Sequence, residues 1–262
     1  MNTPAFEIRP CTNVLGAEIL GIDLSKPLSS ETVDLLRKTL FDRGVIFFRD
    51  QDLTPEQHIA FAQRFGEIDI NRFFTPVEGY PSIAEVRKDP DQVSNIGGGW
   101  HTDHSYDLAP ALGSILYARE LPPCGGDTLY ASMYAAYDGL SDGLKKTLEG
   151  LCALHSSRHV FGEGRTREWG DLKGRLQNMG AATQDSIHPI VVRHPESGRK
   201  ALYVNPDFTV GIHGWTQKES APLLEYLYQH AARPEYCYRF VWGPGSIAFW
   251  DNRATWHYAV ND

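Results

Sequence analysis

The sequence has 262 residues, which suits one large domain or two small ones, and its 42% apolar and 22% charged residues are ordinary for a soluble globular protein. The formal net charge is -8 and no run of lysine or arginine occurs, so the clustered positive surface that binds nucleic acid is not expected. No apolar stretch approaches the roughly 18 residues of a membrane span, and the N-terminus lacks the basic and apolar regions of a secretory signal. The four cysteines form no C-x-x-C pair, which indicates buried free thiols and a cytoplasmic location.

The first segment, to about Gly66, alternates strand and helix signals. The apolar run Val45–Phe48 predicts a short strand. A helix is expected to begin after Thr54, because Thr54 can cap it, Pro55 suits its first position and Gln57 can complete a capping box. One face of this helix is expected to carry Ile59, Ala62 and Phe65.

Residues 71–100 are rich in turn signals and end in three consecutive glycines, which predicts a long loop. From Trp100 onward strand signals dominate, and we predict strands over 114–118, 190–193, 202–204, 236–242 and 246–250. Two helices are expected to interrupt them, over residues 132–150 and 216–231, the second opened by a capping box of Thr216 and Glu219. Short strands, turns and peripheral helices favour a mainly β fold, a jelly-roll barrel, over a parallel α/β sheet.

The sharpest motif is Trp-His-Thr-Asp-His at residues 100–104. In a strand, residues i and i+2 point to the same face, so His101 and Asp103 can aim an imidazole and a carboxylate at one point. A second imidazole from a distant strand would complete the facial arrangement of two histidines and one carboxylate that suits Fe(II) oxygenases. His104 would lie on the opposite face of the strand, so we interpret it as a residue that does not bind metal.

A second motif, Trp-Asp-Asn-Arg at 250–253, is followed by His257, which lies 154 residues after Asp103. With the first motif it resembles the family of taurine dioxygenase and the aryloxyalkanoate dioxygenases. Further similar segments lie along nearly the whole chain, including Gly-Gly-Asp-Thr at 125–128.

The resemblance implies a double-stranded β-helix, a jelly-roll variant related to the cupins, in a single domain over residues 1–262. It implies Fe(II) as the metal, 2-oxoglutarate as co-substrate and O2 as oxidant. His101, Asp103 and His257 would be the metal ligands, and Thr128 would hydrogen-bond the distal carboxylate of 2-oxoglutarate. The family also pairs that carboxylate with an arginine farther past the second histidine than Asp262, where this sequence ends. We therefore expect the natural chain to continue.

The substrate is expected to be a small organic acid that is less polar than taurine, with hydroxylation leading in some cases to cleavage of a C–O or C–S bond. By the resemblance, Asn71, Phe74 and Gly97 occupy positions that engage taurine through polar side chains in taurine dioxygenase, and Phe161 lies in a segment that lines the substrate pocket. Two alternatives remain open on the same barrel: a non-catalytic cupin-like binding protein, and a metal-dependent isomerase or hydrolase. The family favours a homo-oligomer.

Overall fold

The computed structural model describes residues 6–162, 172 and 174–262. The strands are β1 (Glu7–Pro10), β2 (Ala17–Leu20), β3 (Val45–Phe48), β4 (Pro76–Val77), β5 (Tyr80–Ala84), β6 (Gly113–Tyr117), β7 (Thr128–Ser132), β8 (Cys152–Ser156), β9 (Asp185–Pro189), β10 (Val191–Arg193), β11 (Lys200–Leu202), β12 (Thr209–Ile212), β13 (Cys237–Phe240), β14 (Ile247–Asp251) and β15 (Thr255–Ala259). The α-helices are α1 (Ser30–Arg43), α2 (Pro55–Gln63), α3 (Met133–Asp138), α4 (Asp142–Leu148), α5 (Arg158–Phe161) and α6 (Gln217–Ala231).

The largest sheet has the strand order β1-β2-β3-β14-β6, and only its β2–β3 pair is parallel. Across from it lie two three-stranded sheets, with orders β13-β7-β15 and β12-β8-β9. The hairpins β4–β5 and β10–β11 complete the pairing. Neighbours in each sheet are mostly distant in sequence, so loops from separate parts of the chain are brought to the same end of the barrel.

A core of aromatic side chains fills the space between the facing sheets. Phe47 from β3 stacks on Phe240 from β13 with 4.1 Å between ring centroids, and it meets Tyr130 from β7 edge-on at 5.5 Å. All three side chains are fully buried. A mainly β fold whose five-stranded sheet packs through aromatic side chains against the β13-β7-β15 sheet confirms the expected jelly-roll architecture.

The helices cover the outside of the barrel, and their starts are as the sequence predicts. Thr54 and Thr216 both accept the expected backbone amide, and both capping boxes are complete. The inner face of α2 differs from the prediction, because Phe61 is its buried residue while Ile59 and Ala62 are only partly buried. Phe65 is buried as well, but it lies beyond the end of the helix. None of the described helices is long and apolar enough to cross a membrane.

Three other predictions need correction. The helix expected over 132–150 is two helices, separated where a β-carbon on Gly139 would lie only 2.0 Å from the Tyr236 hydroxyl. The strand expected over 236–242 is shorter, because a 3-10 turn occupies Pro234–Tyr236. The four cysteines are unpaired as expected, but none is buried and Cys124 is exposed.

Candidate active site

Two backbone hydrogen bonds bring the first proposed ligand against the last. The His101 amide donates to the His257 carbonyl at 3.1 Å, and the His257 amide donates to the His101 carbonyl at 2.8 Å. This isolated antiparallel bridge joins β15, which carries His257, to the loop before β6, which carries His101. The two imidazole rings consequently face each other with 4.1 Å between their centroids.

Asp103 reaches the same point from a turn, so the strand geometry predicted for residues 101–103 is wrong. Pairing with β15 ends at His101, and the chain turns at once, with His104 at a positive φ of 60°. The carboxylate still points at the histidines: its Oδ1 lies 3.6 Å from His101 Nε2 and 3.8 Å from His257 Nε2. One ligand atom from each of the three residues lies within 4.8 Å of the other two.

The ring of His101 is oriented by a hydrogen bond to the backbone. Its Nδ1 lies 2.8 Å from the Gly99 carbonyl, which can only accept, so Nδ1 carries a proton and Nε2 is the atom that faces Asp103. His257 is held by aromatic packing instead, with Trp250 at 4.6 Å and Tyr130 at 6.4 Å between centroids. Its Nδ1 is buried and has no hydrogen-bond partner within the described part of the chain.

The surroundings of His257 and Asp103 favour the protonation states that bind cations. Burial, and then the neighbouring His101, lower the pKa of His257 to about 3, so its imidazole is neutral at neutral pH. The pKa of Asp103 is lowered: burial opposes its ionisation, but electrostatic attraction from the neighbouring imidazoles and the hydrogen bond from Ser114 outweigh that effect. Two imidazoles and one carboxylate, spaced beyond hydrogen-bonding distance of one another, fit a common divalent ion.

Thr128 lies on β7 beside the same strand that carries His257. Thr128 pairs with Ala259, and Tyr130 pairs with His257. Thr128 therefore lies two residues along β7 from the residue that pairs with the proposed ligand His257. Its hydroxyl oxygen accepts a hydrogen bond from Trp242 Nε1 at 3.0 Å. The hydroxyl proton remains able to donate to an anionic oxygen.

The four proposed substrate residues occupy different environments. The Asn71 side chain accepts hydrogen bonds from the backbone amides of Phe73 and Phe74, which fixes a turn. Gly97 lies against the proposed ligand His101, since a β-carbon there would be 3.3 Å from His101 Cε1. Phe161 is buried and stacks on Phe73 at 4.3 Å, and Phe74 packs against its edge at 6.4 Å.

These phenylalanines belong to an aromatic cluster that the sequence analysis identified only in part. Its buried aromatic members are Phe73, Tyr106, Phe161 and Phe208, with Phe74 partly buried beside them. Phe208 connects the cluster to the metal centre, because its ring meets His101 edge-on at 6.1 Å. No motif marks Phe208, so only the folded chain identifies it.

His104 has a partner of its own outside the three proposed ligands. Its Nδ1 lies 2.9 Å from Asp107 Oδ2 and 3.7 Å from Asp69 Oδ2, and these three form a second compact group. Arg72 pairs with the other oxygen of Asp107 at 2.9 Å, so positive charge already compensates that carboxylate. His104 therefore has carboxylate partners separate from the three proposed ligands.

Most of the second sequence motif has a structural role. Asp251 is fully buried and accepts two hydrogen bonds from the Arg253 guanidinium, at 2.9 and 2.6 Å. His194 lies 2.9 Å from the same carboxylate, and its Nδ1 accepts from two backbone amides, so Nε2 must be the donor to Asp251. This network fixes the turn between β14 and β15 and so the start of the strand that carries His257.

Comparisons with known proteins agree with this geometry. Residues 7–262 match the family described as taurine catabolism dioxygenase TauD, TfdA family. The chain is 35% identical to an alkylsulfatase of Acinetobacter baylyi, over 99% of this chain and 81% of the relative. It is 34% identical to an (S)-phenoxypropionate/alpha-ketoglutarate-dioxygenase of Sphingobium herbicidovorans, over 98% of this chain and 90% of the relative.

A solved structure of a taurine dioxygenase from Burkholderia xenovorans superposes with a TM-score of 0.83 and 37% identity, covering 99% of this chain and 84% of that one. A match of this extent settles the reaction class between the alternatives that the sequence left open. The chain belongs to the TauD/TfdA family and is a 2-oxoglutarate-dependent dioxygenase that acts on a small organic molecule.

Proposed function

We propose that the chain binds Fe(II) through His101, Asp103 and His257, and that it hydroxylates an organic anion with an apolar alkyl or aryl body. The observation that carries the proposal is the convergence of two imidazole nitrogens and one carboxylate oxygen from a turn and a distant strand. Bound Fe(II) would supply the activation of O2 that couples decarboxylation of 2-oxoglutarate to oxidation of the substrate.

The protein residues in this proposal bind and orient. His101 and His257 present neutral ring nitrogens, and Asp103 contributes the negative charge that a divalent ion favours. Three protein ligands leave coordination positions for the co-substrate and O2. Thr128 donates its hydroxyl proton to the distal carboxylate of 2-oxoglutarate, one residue pair along β7 and β15 from the metal.

The aromatic cluster supports an apolar substrate body. Phe208 meets the ring of His101, Phe161 packs against Phe208, and Phe73 and Phe74 both pack against Phe161. The side-chain oxygen of Asn71 is occupied by the hydrogen bonds of a turn, and Phe74 and Gly97 have no polar side-chain atoms. A sulfonate as small as taurine would leave its amine and head group without those partners.

Release of succinate tests the function and the substrate class together. The full chain is reconstituted without O2 with Fe(II), ascorbate and 2-oxoglutarate, then exposed to air with taurine, alkyl sulfates, aryloxyalkanoates and larger organic acids. We expect apolar anions to stimulate succinate release strongly. Taurine should be poorer by about a hundredfold, because a charged group buried without its hydrogen bonds costs several kcal/mol.

Two controls make the result decisive. Omitting O2 should stop succinate release, whereas product formation that continues without O2 would indicate a hydrolase or isomerase. The variant His257→Ala should be inactive, and His213→Ala, which changes an exposed histidine outside the site, should match the wild type. Efficient coupled turnover of taurine would contradict the proposed substrate class.

A further inference from the structure

The side chain of Asp103 is held by a residue that lies outside both sequence motifs. Because Asp103 sits in a turn and its side chain is 28% exposed, no backbone ladder fixes the direction of its carboxylate. The Ser114 hydroxyl, on β6, donates to Asp103 Oδ2 at 2.7 Å. The other oxygen, Oδ1, is the one that faces both histidines.

The direction of this hydrogen bond is set by Asn252. The Asn252 amide nitrogen lies 3.3 Å from Ser114 Oγ and 3.4 Å from the Ala111 carbonyl. The Ala111 carbonyl can only accept, so the Asn252 atom that faces it is the NH2 nitrogen, and this nitrogen also donates to Ser114 Oγ. Ser114 Oγ is therefore an acceptor from Asn252, and its single proton is donated to Asp103.

The same asparagine links the two parts of the chain that carry the proposed ligands. Asn252 lies in the turn between β14 and β15, five residues before His257. The Asn252 backbone carbonyl accepts a hydrogen bond from the hydroxyl of Thr102, the residue between His101 and Asp103. The Asn252 backbone amide donates to the Leu112 carbonyl at 3.1 Å. Ser114 pairs with Trp250 across β6 and β14. Hydrogen bonds therefore connect Thr102 to Asn252, Asn252 to Ser114, and Ser114 to the Asp103 carboxylate.

We infer that Ser114, oriented by Asn252, is a positioning residue that presents Asp103 to the metal through Oδ1 alone. This inference rests on the proposed function. A hydroxyl that occupies Oδ2 disfavours chelation by both carboxylate oxygens and leaves coordination positions for the co-substrate and O2. Loss of an outer-shell partner of this kind typically lowers metal affinity by about 10–100-fold.

The experiment measures the affinity for Mn(II), a redox-stable stand-in for Fe(II), by electron paramagnetic resonance of the free ion, together with the ratio of hydroxylated product to succinate. Ser114→Ala should weaken Mn(II) binding about 10-fold or more and lower the product-to-succinate ratio. Ser114→Thr keeps the hydroxyl and should return the affinity to within about threefold of the wild type. Ser220→Ala removes another buried serine hydroxyl, one that caps the Ile212 amide far from the metal, and should leave the affinity unchanged.

Wild-type Mn(II) affinity in Ser114→Ala would overturn the inference, as would an equal loss of affinity in Ser220→Ala. Failure of the proposed function gives a different pattern, because His101→Ala and Asp103→Ala would then also retain Mn(II) binding. If those two variants lose the metal while Ser114→Ala does not, only the positioning role is wrong.

Discussion

Asp103 differs from the two histidines in the way it is held, and this makes it the most informative residue of the proposed metal centre. The histidines are locked by backbone pairing, a carbonyl acceptor and aromatic packing. The carboxylate depends on side-chain hydrogen bonding at the rim of the site. It also supplies the only negative charge among the three ligands, so both its position and its charge matter for binding a divalent cation.

Replacing the carboxylate should therefore remove metal binding without unfolding the protein. In Asp103→Ala, two neutral imidazoles remain, and we expect Mn(II) affinity to fall by at least about 100-fold and succinate release to be lost. Mn(II) titration and circular dichroism check the two parts of this prediction, with His213→Ala as the matched control. Wild-type turnover in Asp103→Ala would refute the assignment of this ligand.

The residues of the candidate site could be predicted from the sequence because they occur in two compact motifs. The physical argument for one of them was nevertheless incomplete: alternation along a strand was expected to align His101 and Asp103, but a turn does so. No sequence pattern marks the roles of Ser114 and Phe208, because those roles depend on which strands and loops meet. The role of a serine in an apolar strand cannot be predicted until the partner of its hydroxyl is known.

Among the elements, features set by local chemistry were predicted correctly and features set by tertiary contacts were not. The two capping boxes and the strand Val45–Phe48 depend on adjacent residues, and they agree with the structure. The break between α3 and α4 depends on the approach of Tyr236 to Gly139, from almost a hundred residues away. Strand ends differ by one or two residues because the partner strand determines where pairing stops.

The position of the Asp103 carboxylate depends on the pairing of β6 with β14, because Ser114, which donates to that carboxylate, lies on β6. A β-carbon on Gly113 would lie 2.3 Å from the Trp250 carbonyl oxygen, which is backbone and cannot move aside without shifting the strand. Gly113→Ala should therefore destabilise the fold by about 1–3 kcal/mol and displace Ser114 from Asp103. Urea unfolding and Mn(II) titration measure the two effects.

The control for this strand variant is Gly143→Ala. Gly143 lies on the exposed side of α4, and a β-carbon there would meet no atom within 4 Å. Alanine in a helix is favoured over glycine by up to about 1 kcal/mol, so this variant should be slightly more stable and bind Mn(II) normally. Unchanged stability in Gly113→Ala would mean that the two strands separate more easily than their spacing indicates.

At the scale of the whole molecule, the proposed metal would connect parts of the chain that are far apart in sequence. His101 and Asp103 lie between the hairpin β4–β5 and β6, and His257 lies on the last strand. The fold already places these segments together through backbone hydrogen bonds, so the site should be largely formed before the metal binds. A ligand that binds only the folded chain must then stabilise it, by an amount set by its concentration and affinity.

We therefore expect Mn(II) to raise the melting temperature of the whole protein. At a concentration about 100 times the dissociation constant, binding contributes about 2.7 kcal/mol. For a chain of about this size each kcal/mol corresponds to roughly 2–4 °C, so the rise should be about 5–10 °C. Differential scanning fluorimetry with and without Mn(II) measures the rise, and excess EDTA should reverse it. In Asp103→Ala the rise at the same Mn(II) concentration should be at most about 1–2 °C, because an affinity 100-fold weaker leaves about 0.4 kcal/mol of stabilisation. An equal rise in wild type and variant would mean that the ion stabilises the protein from a different site.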